Sequence, residues 1–166
     1  MKLLKIDAEV EHVWFGDDVF ALNQHWVKEF AEEVMKRNAT LPFKIQSRAD
    51  LMSEQTVQSL KAAGCSEVWM GVESGSQAVL KAMDKGLNVS SVIAARRRLK
   101  EAGIRACHFL QFGYPGEAWT ELQETIAVST GVQTWANSEL KEGWLSSPTA
   151  TLLVPLFATS MFAQEV

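Results

Sequence analysis

Hydrophobic residues recur along this chain at two spacings, one typical of strands and the other of helices. Short apolar or alternating runs predict strands at residues 12–16, 43–48, 68–72, 104–112 and 151–155. Helical spacing fills the intervals, at residues 20–38, 53–63, 77–83, 90–102 and 119–130. Ser53 is placed to cap the second of these helices and Gly64 to end it. The pattern predicts a regular alternation of strand and helix.

A helix in every interval predicts that consecutive strands run parallel and are joined by crossover connections. A closed barrel of eight such units typically takes about 250 residues, whereas this chain has 166. We therefore expect one α/β domain over residues 1–166, a partial (βα) barrel with about five parallel strands. A doubly wound sheet is the alternative that the pattern leaves open. In both folds, ligands bind at the carboxyl ends of the strands.

Polar and turn-forming residues follow the predicted strands where such a site would lie. These candidate ligand-binding residues are Asp17, Asp18, Arg48, Glu73, Ser74, Gln111, Gly113, Pro115 and Gly116. Carboxylates, an arginine and a Gly/Pro turn would meet there although they are distant in sequence. The structural alternative is that Asp18 and Ser74 cap helices and that Arg48 forms a surface ion pair.

Composition narrows the range of partners. With 16 Lys and Arg against 20 Asp and Glu, the chain has a net charge of −4, which argues against nucleic-acid binding because that needs a dense basic surface. The nearly uncharged segment 150–163 is shorter than the roughly 20 residues of a membrane span. No signal-peptide pattern opens the chain. We expect a cytoplasmic protein without membrane or nucleic-acid partners.

Residue types that could carry catalysis are sparse. Cys65 and Cys107 are the two cysteines, and neither belongs to a CxxC pair, so no local metal-ligand cluster is predicted. Cys107 and His108 are neighbours on a predicted strand and point to opposite faces, which excludes a direct nucleophile–base pair. A metal-dependent barrel enzyme using Asp18, Glu73 and His108 stays a weaker alternative. We assign no catalytic residue.

Ordered motifs carry a resemblance to a known family. They are residues 14–20 (WFGDDVF), 47–50 (SRAD), 71–77 (GVESGSQ) followed by Leu80, Met83 and Lys85-Gly86, and 112–117 (FGYPGE). Together they resemble the radical S-adenosylmethionine superfamily, in particular the branch whose members often carry a preceding cobalamin-binding domain. The resemblance runs from about residue 10 to residue 130, and residues 155–159 are similar to a turn that follows the sixth strand of those enzymes.

This resemblance implies a partial (βα) barrel in which a reduced four-iron cluster cleaves S-adenosylmethionine to a 5′-deoxyadenosyl radical. It also implies roles by position. Asp17 and Asp18 would lie near the methionine amino end, and Glu73 near the methionine or ribose. Residues 112–117 would lie beside the adenine. S-adenosylmethionine is therefore the expected small-molecule cofactor, with cobalamin an expected cofactor of the complete parent.

One family feature is missing from the sequence. The family holds its cluster with a CxxxCxxC loop after the first strand, and this chain begins almost at the second strand without such a loop. We expect a fragment that lacks the first βα unit, retains part of the S-adenosylmethionine cradle and is inactive alone. A non-catalytic domain that binds a nucleoside-like ligand, or a scaffold domain, is the alternative.

A sheet that lacks its first strand would have an open edge. The predicted strand at residues 12–16 would then have unpaired backbone groups beside Val13, Trp14 and Phe15. Edges of this kind pair with other chains. We therefore expect a homodimer formed through open sheet edges.

Overall fold

The computed structural model of the chain describes residue 1, residues 10–130 and, for the backbone alone, residues 133–138. Strands and helices alternate along these residues, as the hydrophobic pattern predicts. In chain order they are β1 (Val13–Trp14), α1 (Gln24–Lys36), β2 (Phe43–Ser47), a 3-10 turn (Ala49–Leu51), α2 (Glu54–Ala63), β3 (Cys65–Glu73), α3 (Gln77–Ala82), α4 (Val89–Glu101), β4 (Arg105–Phe112), α5 (Trp119–Ser129) and β5 (Gln133–Ser138).

The strands form a parallel sheet whose order, β1-β2-β3-β4-β5, follows the chain. Val13 is level with Phe43 in the pairing of β1 with β2, and Ile45 is level with Val68 in that of β2 with β3. Strand β4 pairs in parallel with β5, where Cys107 is level with Gln133. The predicted α/β class with parallel strands is confirmed.

Two strands differ from the prediction. Strand β1 is Val13–Trp14, shorter than the predicted 12–16, although the Phe15 N–H still donates to the Lys44 carbonyl at 3.1 Å. Strand β5 at Gln133–Ser138 was not predicted, because its sequence QTWANS is polar at most positions and shows no apolar run. The strand predicted at residues 151–155 lies outside the described residues.

Contacts divide the chain into two compact units. The first unit comprises residues 1–71 and 90–106, and the second comprises residues 72–89 and 107–166. The candidate residues Asp17, Asp18 and Arg48 belong to the first unit. Glu73 and the other candidates belong to the second.

Aromatic packing joins helix α1 to the sheet in the first unit. Phe43 on β2 meets Phe15 edge-on at 5.3 Å between ring centroids and meets Phe30 of α1 edge-on at 5.9 Å. Such geometry is favoured by the quadrupoles of the rings. Trp26 stacks on Phe30 at 5.5 Å. These rings fix α1 against the sheet and position the turn between β1 and α1.

Helix ends in the first unit follow local signals. Asn23 caps α1 by accepting from the Trp26 N–H at 3.0 Å, so the helix begins there and not near Phe20. Ser53 caps α2 by accepting from the Thr56 N–H at 3.2 Å, and Gly64 ends α2 with a φ of +99°. The predictions for Ser53 and Gly64 are confirmed.

Within the part of the chain that the structure describes, no helix is both long enough and apolar enough to cross a membrane.

Candidate functional site

Strand β3 ends in a strained turn at Glu73. This residue has a φ of +64°, in the left-handed region that costs a non-glycine residue free energy. The Ser74 N–H donates to the Val72 carbonyl at 2.8 Å, which closes a three-residue γ-turn around Glu73. Strain of this kind is concentrated at functional sites, and here it directs a carboxylate from the carboxyl end of a strand.

The Glu73 carboxylate forms an ion pair with Lys85. Lys85 Nζ lies 2.8 Å from Glu73 Oε1, and the two side chains are 28% and 25% exposed. The pair is therefore shielded from bulk water and still accessible to a ligand. A charge-assisted hydrogen bond of this length is among the stronger polar contacts in proteins.

Gln77 fixes the segment that carries Lys85. Its side-chain nitrogen donates to the Leu87 carbonyl at 3.1 Å, and its side-chain oxygen accepts from the Val89 N–H at 3.1 Å. The Lys85 N–H also donates to the Leu80 carbonyl at 3.0 Å. Lys85 therefore reaches Glu73 from a backbone held at several points.

Buried hydrogen bonds hold the residues that follow Glu73. The Ser74 hydroxyl lies 3.0 Å from Thr125 Oγ1, and the Gly75 N–H donates to the same oxygen at 2.9 Å. Ser74 and Thr125 are fully buried. The Ser74 hydroxyl is thus engaged within the protein, and Ser74 does not cap α3, whose N-cap residue is Ser76.

The loop after β4 folds around a buried carboxyl group. Glu117 Oε2 accepts from the Gly113 N–H at 2.6 Å, whereas Glu117 Oε1 is buried without a hydrogen-bond partner among the described residues. Burial raises the pKa of the Glu117 carboxyl, and backbone hydrogen bonds from Gly113 and Tyr114 oppose that rise. The Tyr114 hydroxyl donates to the Ala82 carbonyl at 2.8 Å. The loop is therefore held from inside and from the end of α3.

The outer surface of this loop is accessible. Gly113, Pro115 and Gly116 are exposed, as is Gln111 near the end of β4. Gly113 has a φ of +83°, a conformation that glycine adopts without the Cβ penalty. The exposed surface at these glycines is backbone, which a flat ligand can approach closely.

The first unit holds its candidate residues differently. Asp17 and Asp18 are exposed in the turn after β1, and Asn23, not Asp18, caps α1. Arg48 donates from Nε to Asp50 Oδ1 and from Nη2 to Asp50 Oδ2, both at 3.0 Å. The hydrogen bond to Asp50 raises the pKa of the Arg48 guanidinium. For Arg48, the surface ion pair that sequence offered as an alternative is present.

The structure brings some predicted residues together with others that the sequence did not single out. Glu73 meets Lys85, Ser74 meets Thr125, and Gly113 meets Glu117. Lys85 and Glu117 belong to the motifs that resemble the family. Those motifs could have indicated both residues as site candidates. Thr125 lies on a predicted helix 51 positions from Ser74, and no local pattern could have indicated that contact.

The His, Cys, Asp and Glu side chains of the described residues do not fit a metal ion or an iron–sulfur cluster. The described residues contain no group of three or more His, Cys, Asp and Glu side chains that could hold a metal ion, and Asp18, Glu73 and His108 do not form such a group. His108 is fully buried. Cys65 and Cys107 are buried as well, and a four-iron cluster needs about three or four thiolates. The two cysteines of this chain do not fit such a cluster.

A parallel α/β fold with charged and glycine-rich turns at its strand ends is the architecture of partial (βα) barrels that bind small molecules at that edge. Residues 1–128 match the model of the Radical SAM superfamily. The chain belongs to this superfamily.

Comparisons with individual proteins agree with the family. The chain is 25% identical over 126 residues to an uncharacterized methyltransferase of Pyrococcus horikoshii, an alignment that covers 76% of this chain and 28% of that protein. It also resembles the radical S-adenosylmethionine methyltransferase TsrM from Kitasatospora setae, solved with cobalamin and a four-iron cluster bound. That likeness has a TM-score of 0.69 at 19% identity and covers 83% of this chain and 29% of TsrM.

A second solved structure that the chain resembles is coproporphyrinogen III oxidase (HemN) from Escherichia coli, a radical SAM enzyme. Its TM-score is 0.66 at 15% identity, and the match covers 93% of this chain and 40% of HemN. At these identities the likeness to solved structures concerns the fold. The chain spans 28% of the Pyrococcus protein and well under half of the other two.

Proposed function

We propose that this chain is the S-adenosylmethionine-binding part of a radical S-adenosylmethionine enzyme, and that Glu73 and Lys85 hold the methionine end of that cofactor. The observation that carries the proposal is the 2.8 Å ion pair at the end of β3. An α-amino acid carries an ammonium and a carboxylate on neighbouring atoms. Glu73 and Lys85 present the complementary charges side by side.

Charge pairing makes this exchange favourable. When the ligand ammonium donates to Glu73 and Lys85 donates to the ligand carboxylate, each charge leaves one partner and gains another. The exchange therefore leaves no partly buried charge without a partner. An unpaired charge costs much more free energy in a buried position than in an exposed one. The partial exposure of both side chains, 25% for Glu73 and 28% for Lys85, leaves room for that exchange.

The remaining candidate residues take supporting parts in the proposal. The exposed backbone of Gly113, Pro115 and Gly116 would lie beside the adenine, with the Gln111 amide at the same strand end. Ser74, whose hydroxyl is already hydrogen-bonded to Thr125, would position its neighbours and not touch the ligand.

The first unit has candidate ligand-binding residues of its own. Asp17 and Asp18 are exposed carboxylates available to a cationic ligand group. Arg48 would bind an anionic group while keeping its hydrogen bonds to Asp50 or in exchange for them.

The chemistry of the complete enzyme needs a cluster that these residues do not hold. We propose that the cluster ligands of the parent lie outside these 166 residues, so that the chain alone binds the cofactor without cleaving it. Its two cysteines and its coverage of 28% of the Pyrococcus relative support this. Cobalamin would be a cofactor of the complete enzyme, by analogy with the TsrM structure. We also propose that the protein is cytoplasmic.

Titration calorimetry tests the proposed contact with Glu73. The probe is S-adenosylmethionine, added to the wild-type chain, Glu73→Gln, Lys85→Met and the exposed control Glu101→Gln. A charge-assisted hydrogen bond contributes about 1.5–3 kcal/mol, so each of the first two variants should weaken binding roughly tenfold or more. The proposal fails if Glu73→Gln and Glu101→Gln bind the cofactor as tightly as the wild type does.

The alternative is a non-catalytic domain for nucleoside-like ligands, which the exposed loop at Gly113–Gly116 favours. Adenosine discriminates the two. If adenosine binds as tightly as S-adenosylmethionine, and Glu73→Gln affects neither, the methionine end contributes nothing and the alternative stands.

A further inference from the structure

We infer that Thr125 is a positioning residue for Glu73, because it holds the strained turn in which the Glu73 carboxylate leaves the sheet. The inference rests on the proposed function, in which Glu73 contacts the ligand. Thr125 itself is fully buried on helix α5 and would touch no ligand.

The Thr125 hydroxyl uses its full hydrogen-bonding capacity. It donates to the Glu121 carbonyl at 3.0 Å and accepts from the Gly75 N–H at 2.9 Å. A hydroxyl has one donor and two acceptor positions, so the Ser74 hydroxyl, 3.0 Å away, must donate to Thr125. Valine has the same shape as threonine and could make none of these bonds.

The bonds form one directional series. The Ser76 N–H donates to Ser74 Oγ at 3.0 Å, the Ser74 hydroxyl donates to Thr125, and Thr125 donates to the Glu121 carbonyl. Buried series of this kind polarise one another and are strong when every member is satisfied. The backbone from residue 74 to residue 76 is thereby tied to α5.

Close packing of backbone on backbone adds to the constraint. A Cβ on Gly75 would lie 2.6 Å from Thr125 Cα and in still closer contact with the Glu124 carbonyl oxygen. Real Cβ atoms do not approach other atoms so closely, so the side-chain-free Gly75 lets the loop lie directly against the helix. Gly75 and Thr125 therefore act on the same few atoms of the loop.

The constraint acts on Glu73 through the next residue, Ser74. Its left-handed φ of +64° is retained only where surrounding contacts over-determine it. The Ser74 N–H that closes the γ-turn belongs to the residue whose hydroxyl Thr125 binds. Without the Thr125 hydroxyl, the turn can relax to an extended conformation, and the carboxylate moves away from Lys85.

The test compares Thr125→Val and Thr125→Ser with a matched control, Thr56→Val. Thr56 is 1% exposed, and its hydroxyl lies 2.8 Å from Ser53 Oγ at the start of α2, in the first unit. The readouts are amide hydrogen exchange at Gly75, the Glu73 carboxyl carbon shift by NMR with and without Lys85→Met, and S-adenosylmethionine affinity. If Thr125→Val does not fold, Ser74→Ala, which removes two bonds of the series, takes its place.

We expect Thr125→Val to accelerate exchange at the Gly75 amide by about tenfold or more, as for a lost buried hydrogen bond. In that variant Lys85→Met should no longer change the Glu73 carboxyl shift, and cofactor affinity should fall about tenfold. Thr125→Ser should restore all three readouts. Thr56→Val should change none.

The inference is overturned if Thr125→Val leaves the Gly75 exchange and the Glu73 shift as in the wild type, if Thr125→Ser fails to restore them, or if Thr56→Val alters them equally. These NMR readouts do not depend on a ligand. If they respond as expected and the wild-type chain binds no S-adenosylmethionine, the proposed function fails and the positioning role stands. If Glu73→Gln weakens binding and Thr125→Val does not, the positioning role fails alone.

Discussion

The two units of the chain hold their polar residues by different means. In the first unit, the sheet and α1 are joined by aromatic rings around Phe43, and Arg48 lies at the surface in an exposed ion pair. In the second unit, Glu73 is set by a γ-turn and by buried hydroxyls. The hydrophobic effect that buries these rings is non-directional. Hydrogen bonds fix direction, and this is what a carboxylate that must meet a ligand requires.

Substitution of Phe43 should have the largest effect on stability and tests the aromatic packing of the first unit. Phe43→Ala removes a fully buried ring that meets Phe15, Phe20 and Phe30. The free energy of unfolding should fall by about 3–5 kcal/mol. Urea unfolding followed by tryptophan fluorescence measures the loss. The exposed Ile93→Ala serves as control, and a loss as small as that of the control would contradict the packing account.

Gly75→Ala should come next. The added methyl meets the backbone of α5 at Thr125 Cα, and backbone cannot move aside as a flexible side chain can. Overpacking of this kind costs about 1–3 kcal/mol of unfolding free energy. Gly16→Ala is the matched control, since a Cβ there meets nothing within 4 Å. Equal unfolding midpoints in urea for the two variants would contradict the close approach.

The Glu117 carboxyl should make folding stability depend on pH, with an effect smaller than that of Gly75→Ala. Burial raises the pKa of its carboxyl, so over the interval above the unfolded pKa the folded chain binds more protons than the unfolded one. Its contribution to stability is therefore largest at low pH and is lost as pH rises through the folded pKa. The stability of the wild type relative to Glu117→Gln should fall as the pH rises above 4.5, the ordinary pKa of a glutamate carboxyl.

Urea titrations across that interval measure the difference. Glu101→Gln, which removes an exposed carboxylate of the first unit, is the control substitution. A difference that grows with pH would mean that the backbone hydrogen bonds from Gly113 and Tyr114 outweigh burial.

The smallest expected effect concerns self-association, which remains our proposal. Strand β1 is at one end of the strand order among the described residues. Trp14 on this strand is 51% exposed, and Lys44 Nζ lies 4.3 Å from the centre of its ring. If two copies pair along this edge, Trp14→Glu should favour the monomer, since charged residues oppose edge pairing. Light scattering over a concentration series measures this, with Trp119→Glu in the second unit as control. A wild-type chain that stays monomeric at all concentrations would sink the dimer.

Local signals in the sequence predict local structure well here. Ser53 and Gly64 mark the ends of α2 because capping depends on a few neighbouring atoms. The alternating pattern of β2 and the largely apolar pattern of β4 mark the two strands. Glu73 could be placed at a strand end for the same reason. Its left-handed conformation could not be predicted, because that conformation depends on Thr125, which follows Glu73 by 52 residues in the sequence.

Polar strands and long-range pairs account for the rest of what the sequence did not predict. Strand β5 is polar in sequence and is set by pairing with β4. The partner of Glu73 is Lys85 beyond α3, and only the path of the backbone through the intervening turns brings the two together. Hydrophobic periodicity contains no information about such pairs.

The side chain of Gln77 has a consequence for how the chemistry of this loop can change. Its amide donates to the Leu87 carbonyl and accepts from the Val89 N–H, as a peptide group of a neighbouring strand would. The segment between is thus closed on itself at its base, and Lys85 lies within it. The residue at position 85 can be exchanged for one of another charge or length while the closure stays intact. Because this closure uses only the Gln77 amide and two backbone groups, the charge that position 85 offers to the Glu73 carboxylate can change without loss of the closure.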